Sequence, residues 1–183
     1  MAGGPILSGA PSGRQLYAKL VEALPPEPTS PRPLFLDFQY VEVATASFLR
    51  ESILAFRTFV RGRKSNFYPA LANATASVID EFVELVQPRG DVVMTCTIDD
   101  DGNVLRARHV GQLDPIQQIT FNLVLERGET TAAKLMEMDN YHVKATAWNN
   151  RLASLSNLGL ICEVSHGRTK TYKPLFGGAI DGR

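Results

Sequence analysis

Three groups of residues in this 183-residue chain have types and spacings that could do chemistry, and two of them lead nowhere. The acidic run Asp99-Asp100-Asp101-Gly102-Asn103 offers the oxygen ligands of a calcium loop. Aligning Gly102 with the loop glycine puts Thr97 at the first ligand position and Arg108 where a bidentate glutamate should close the site. A cation there excludes metal, so the run reads as a turn. Three histidines (His109, His142, His166) and two cysteines (Cys96, Cys162) are too scattered to hold zinc, and no Ser-based nucleophile elbow or glycine-rich phosphate loop occurs. No catalytic residue, metal or cofactor is expected. His142 and His166 read as solvated surface groups, and the two cysteines as buried thiols in a reducing compartment. The third group is residues 142–176, where Lys144, Arg151, Arg168, Lys170 and Lys173 face one acid, Glu163. Here Thr146, Asn149, Asn150 and Ala153 share a helix face turned away from Trp148, Leu152 and Leu155. Asparagine can pair bidentately with adenine and cations reach phosphates, which is the chemistry of contact with double-stranded DNA.

Overall composition limits how such contact can arise. Nineteen Lys and Arg balance nineteen Asp and Glu, which excludes both a chain that coats nucleic acid through bulk charge and an acidic disordered one. With 44% apolar and 21% charged residues the chain is of ordinary globular make-up and long enough to bury a core. No apolar run approaches the ~20 residues needed to span a bilayer, and the N-terminus lacks a leader pattern. The chain is expected to be cytoplasmic, with no membrane partner.

The elements that must position these groups are read from periodicity. Residues 1–13 are Gly/Pro/Ser/Ala-rich and expected to be flexible; Ser12 then caps a helix with Leu16, Tyr17, Leu20, Val21 and Leu24 on one face. Five prolines between Pro25 and Pro33 end it, and Leu34–Phe38 reads as a strand. A second helix, capped by Thr45 or Ser47, carries Phe48, Ile53, Phe56 and Val60 near one side and closes on the basic cluster 61–64. Phe67–Ala72 reads as a strand, followed by a turn at Asn73–Thr75 and a helix through Val78, Phe82 and Leu85. Val92–Ile98 and Val104–Val110 read as a hairpin. From Asp114 three helices are expected, the first with Ile116, Ile119, Leu123 and Val124 inward, then a hairpin around Gly167. The reading is α/β, with an α/β part over 14–113, a helical part over 114–176 and a tail over 177–183.

Two stretches carry family resemblances. Leu34 to Glu51, with its LDF…V…AT-x-SFL-x-E pattern, resembles the STAS-like relatives of anti-sigma-factor antagonists, and the likeness extends over about residues 12–90. It implies a small α/β domain, not itself an enzyme, that binds a protein partner such as a GHKL-type ATPase or kinase. Thr45, Ser47 and Arg50 are the implied partner-binding residues. Thr45-Ala46 stands where antagonists proper carry Asp-Ser, so no phosphoserine switch is expected and Ser47 reads as a helix cap. Thr146 to Ile161 and Ser165 to Pro174 resemble the recognition helix and wing of bacterial winged-helix regulators. This implies DNA contact through Thr146, Asn149, Asn150, Arg151, Arg168, Lys170 and Lys173. Together they point to a non-enzymatic transcription regulator, a STAS-like domain followed by a winged helix-turn-helix. The rival reading is an adaptor that docks proteins with both parts; the oligomeric state stays open.

Overall fold

The computed structural model describes residues 6–138, 143–167 and 169–177, and the chain is a mixed α/β protein. It opens with β1 (Ile6–Leu7) and α1 (Ala10–Glu22), followed by β2 (Arg32–Asp37) and β3 (Val43–Ala44), which pairs in parallel with β1. The helix expected next is three consecutive segments: α2 (Ala46–Leu49), a π-helical turn (Arg50–Leu54) and α3 (Ala55–Gly62). Then come β4 (Phe67–Ala72), α4 (Ala76–Val86), β5 (Val93–Ile98) and β6 (Val104–Val110). Beyond them lie α5 (Pro115–Arg127), α6 (Ala132–Met138), α7 (Ala145–Asn157), β7 (Ile161–His166) and β8 (Thr169–Pro174).

Among the described residues the largest sheet runs β2-β4-β5-β6, with the first three strands parallel and β6 antiparallel to β5. Strand alternation gives it two apolar faces. Phe67 and Leu71 of β4 and Val93 of β5 join Leu36, Phe48, Phe56, Val60, Phe82 and Val86 in a core under α1 to α4. Tyr68, Ala70, Ala72, Met94 and Cys96 point the other way, into a core with Phe121, Leu135, Trp148, Leu152, Leu155 and Tyr172. The helices after residue 114 therefore cover the second face of a sheet built before it. Thr130, between α5 and α6, makes a reciprocal antiparallel bridge with Tyr172 (N–O 2.9 and 2.8 Å), so the terminal hairpin gains a third neighbour.

Local chemistry explains most element boundaries. Asp114 and Gln117 form a reciprocal capping box at the start of α5, with Pro115 in its first turn. The acidic run is a turn: Asp99 Oδ1 accepts the Asp101 and Asn103 amides, and Oδ2 the Asn103 side chain. Pro69, unusual in an inner strand, sits where β4 pairs with β2 alone; its pairing with β5 begins at Leu71.

Four expectations are corrected. Residues 6–13, read as flexible, hold β1 and the first turn of α1, which starts at Ala10 behind Gly9 rather than at Ser12. That helix lies close because Gly13 has no side chain; a Cβ there would stand 2.7 Å from the Phe48 carbonyl oxygen. Ile116 and Ile119 are not inward-facing: they are 51% and 59% exposed, and α5 buries Thr120, Phe121 and Val124 instead. Burying Thr120 is cheap because its hydroxyl bonds the Ile116 carbonyl at 2.7 Å. Finally, Thr45 and not Ser47 caps α2, accepting the Phe48 amide, while Ser47 Oγ lies 3.3 Å from the Thr45 hydroxyl. Thr45→Ala should therefore cost about 1 kcal/mol in urea unfolding, and Ser47→Ala no more than about half of that; equal losses would return the cap to Ser47.

Candidate nucleic-acid interface

The apolar side of α7 fixes which side of the helix faces solvent. Trp148, Leu152 and Leu155 are buried in the core shared with the sheet, so the helix cannot roll about its axis without emptying that core. Thr146, Asn149 and Asn150 are consequently exposed, with Ala153 half-buried on the same face. Short side chains here leave the helix backbone open to close approach. This is the arrangement expected of a helix that lies in a major groove.

The surrounding cations are less uniform than their sequence count implies. Arg151 is half-buried with its guanidinium 4.7 Å from the Trp148 ring centroid, and makes no hydrogen bond among the described residues. Lys144 and Lys173 are exposed. Lys170 is ion-paired to Glu163 at 2.7 Å, which offsets one charge of the patch. The β7–β8 register places Lys170 with Glu163 and Tyr172 on one face of the hairpin and Lys173, opposite Cys162, on the other. Arg168 and His142 lie outside the described residues, as does the tail from residue 178.

The second predicted cluster is built differently from an open binding surface. Thr45 Oγ1 accepts the Phe48 amide and lies 3.4 Å from the Gly9 amide, and the Thr45 amide donates to Leu7. The segment from β1 to α1 is thus laid over the start of α2. Arg50 is exposed and held by Glu51, whose Oε1 accepts from Arg50 Nε at 3.1 Å. The Arg50 hydrogen bond, with further help from Arg14, holds the Glu51 carboxyl below its ordinary range. Thr45 and Ser47 are therefore tied up in local bonds, while Arg50 stands on the surface.

What holds α7 against the sheet was not foreseen. Arg57, 6% exposed, donates from one terminal nitrogen to Asp91 at 2.7 Å and from the other to the carbonyls of Val92 (2.6 Å) and Leu158 (2.7 Å). One turn on, Arg61 donates to Ser65, to Phe67 and, at 2.9 Å, to Ser156. Its guanidinium stacks 3.8 Å from the Tyr68 ring centroid. Tyr68 completes the joint: its hydroxyl accepts the Glu163 amide at 3.0 Å and lies 3.3 Å from Ser156 Oγ. Ser156 and Leu158 end α7, where carbonyls lack helical donors and the helix dipole is negative, so both guanidinium groups are well placed. The available signal was an arginine pair at i, i+4 beside Ile53, Phe56 and Val60, on a helix face that otherwise buries apolar residues.

The other titratable groups that depart from their ordinary range do so through burial or local hydrogen bonds. Burial pushes the Cys96 and Cys162 thiols up to about 11, as expected of inert core cysteines. Burial also raises Tyr172 and lowers His109, whose Nδ1 has no hydrogen-bond partner among the described residues. Hydrogen bonds from Asn103 hold Asp99 low, consistent with its place in the turn. Among the described residues no His/Cys/Asp/Glu group could hold a metal ion, and no helix is long and apolar enough to cross a membrane.

Comparison of the chain with protein-family models and with curated proteins returns no match. The stability of α7's seat rests on Arg57: Arg57→Ala should cost about 3 kcal/mol in urea unfolding, because Asp91 and two carbonyls lose their partner. Arg57→Lys should recover only part of this, since one ammonium cannot reproduce the planar fork. A full recovery by lysine would show that charge alone matters there.

Proposed function

We propose that the chain is a non-enzymatic DNA-binding regulator, in which an N-terminal STAS-like part recruits a protein partner and α7 with the β7–β8 hairpin acts as a winged helix. The observation that carries the DNA reading is the exposed Thr146, Asn149 and Asn150 stripe on a helix whose opposite side is locked in the core. The order of the C-terminal elements supports it further. Two helices flank a single bridging residue, Thr130, that pairs with the last strand, and a third helix leads into the hairpin. In this reading Asn149 and Asn150 meet base edges, while Arg151, Lys173 and the exposed Lys144 meet phosphates. Arg168, outside the described residues, is assigned to phosphate by its sequence position alone. The partner of the N-terminal part, by resemblance a GHKL-type ATPase or kinase, belongs to the same proposal, as do the cytoplasmic location and the contact role of Arg50.

One observation favours the rival, protein-docking reading. The Glu163–Lys170 pair and the split of Lys170 and Lys173 between hairpin faces weaken the field available for a phosphate backbone. Fluorescence titration against mixed duplexes at two salt concentrations separates the two. The wild type should bind with an affinity that falls steeply with salt. Lys173→Ala should weaken binding to all sequences alike and lower the salt slope by about one. Asn149→Ala or Asn150→Ala should relax sequence preference, at roughly 1–3 kcal/mol for one base position. Glu163→Gln should tighten binding by freeing Lys170. Absence of salt-sensitive binding near about 100 mM salt would leave the docking adaptor in its place.

A further inference from the structure

The protein-recruiting half of this reading has, at Thr45 and Ser47, a surface already covered by the chain's own first strand, which turns attention to the opposite edge of the sheet. There β6 is the outermost strand, and no hydrogen bond among the described residues reaches its outer edge. The other edge strand, β2, carries Pro33 and is flanked by a ring stack of Phe35 on Phe176; β6 has neither protection. Between β6 and α4 lie two adjoining concavities of about 290 and 280 Å³ that share Ile79 and Arg108. They run together as one groove from Arg106 to Gln112, about 20 Å of extended chain.

The charges along this groove are one-sided. Arg106 and Arg108 lie opposite Thr97 and Thr95 in the register, on the same sheet face, and both are exposed. Neither makes an ion pair or hydrogen bond among the described residues, and the residues of α4 and its C-cap that line the groove, Ile79, Val83 and Gln87, include no acid. Val83 gives the groove an apolar wall, and Leu105, left without a register partner at the bulge, is 58% exposed. A second copy of the chain does not fit. Two β6 strands paired about a two-fold axis centred on the strand would set Arg106 of each against Arg108 of the other.

The geometry points to an extended, acidic segment of a partner protein that adds to the sheet along β6. Its carboxylates occupy alternate positions, so that two of them meet Arg106 and Arg108 on one face. Backbone hydrogen bonds to the free edge supply the remaining attachment. This inference rests on the partner-recruiting half of the proposed function and is independent of α7.

The test uses no DNA in its main arms, so its failure leaves the duplex titrations untouched. The probe is a fluorescent peptide of sequence Thr-Val-Glu-Val-Glu-Val-Thr, read by anisotropy against the full chain. The peptide should bind, and replacing both its glutamates by glutamine should abolish binding. Arg106→Glu and Arg108→Glu should each weaken it about tenfold, and the doubly reversed protein should take the corresponding lysine peptide instead. N-methylation of alternate peptide amides should remove binding if the backbone pairs with β6. No binding, or binding indifferent to the arginine reversals or to N-methylation, overturns the proposal. So does displacement of the peptide by single-stranded or duplex DNA, which would make the groove a nucleic-acid site. A dimer in sedimentation that Arg106→Glu or Arg108→Glu dissociates would assign the edge to a second copy.

Discussion

Two guanidinium groups hold this protein together at the point where its two parts meet. Arg57 and Arg61 leave the same helix face one turn apart, pass the N-terminal ends of the inner strands β4 and β5 and finish the carbonyl end of α7. Arginine suits this place because a planar fork can serve several acceptors at once and stays charged in a nearly dry setting. Arg57 satisfies a carboxylate and two carbonyls that belong to different parts of the chain, and Arg61 adds the Tyr68 ring as a platform. The orientation of α7, and hence of the polar stripe it presents, follows from this joint as much as from the core beneath it.

The sheet makes the joint possible by being apolar on both faces. β4 is buried along its whole length, and its side chains divide between the two cores. A small sheet with one solvated face would have left the C-terminal helices to form a core of their own, with about sixty residues to do it. Sharing Tyr68, Met94 and Cys96 with Trp148, Leu152 and Tyr172 removes that difficulty. The arrangement also ties the outer strand to the interior. His109 of β6 packs edge-on against Phe121 of α5, 5.9 Å between ring centroids, while its neighbours Arg106 and Arg108 face the groove beside α4.

Much of the fold was legible in the sequence because it is written in short-range signals. The span of β4 was readable to the residue, bounded by the cluster before Phe67 and the turn at Asn73, which adopts a positive φ of 53°. The hairpin of β5 and β6 and the buried stripe of α7 were readable for the same reason. Three things were not. The inward face of α5 was misassigned because hydrophobicity favours Ile116 and Ile119 over Thr120, and only the hydroxyl's bond to its own helix makes the threonine an acceptable core residue. The bonds that tie Arg57 and Arg61 to α7 reach acceptors 101 positions away, for Arg57 to Leu158, and 95, for Arg61 to Ser156, separations to which no local pattern responds. The uneven worth of the wing cations depends on strand register, which sets Lys170 beside Glu163 and Lys173 across from Cys162.

The shared second core has a consequence for how the chain comes into being. Translation delivers the whole sheet by Val110, yet the helices and hairpin that cover its second face are not complete until about Phe176. At roughly 5–20 residues per second, that face of Tyr68, Ala70, Met94 and Cys96 waits on the order of 3–13 seconds beside the ribosome before its cover arrives. During that interval the nascent chain presents a broad apolar surface. The ribosome-bound intermediate therefore exposes apolar side chains that the finished protein keeps from water.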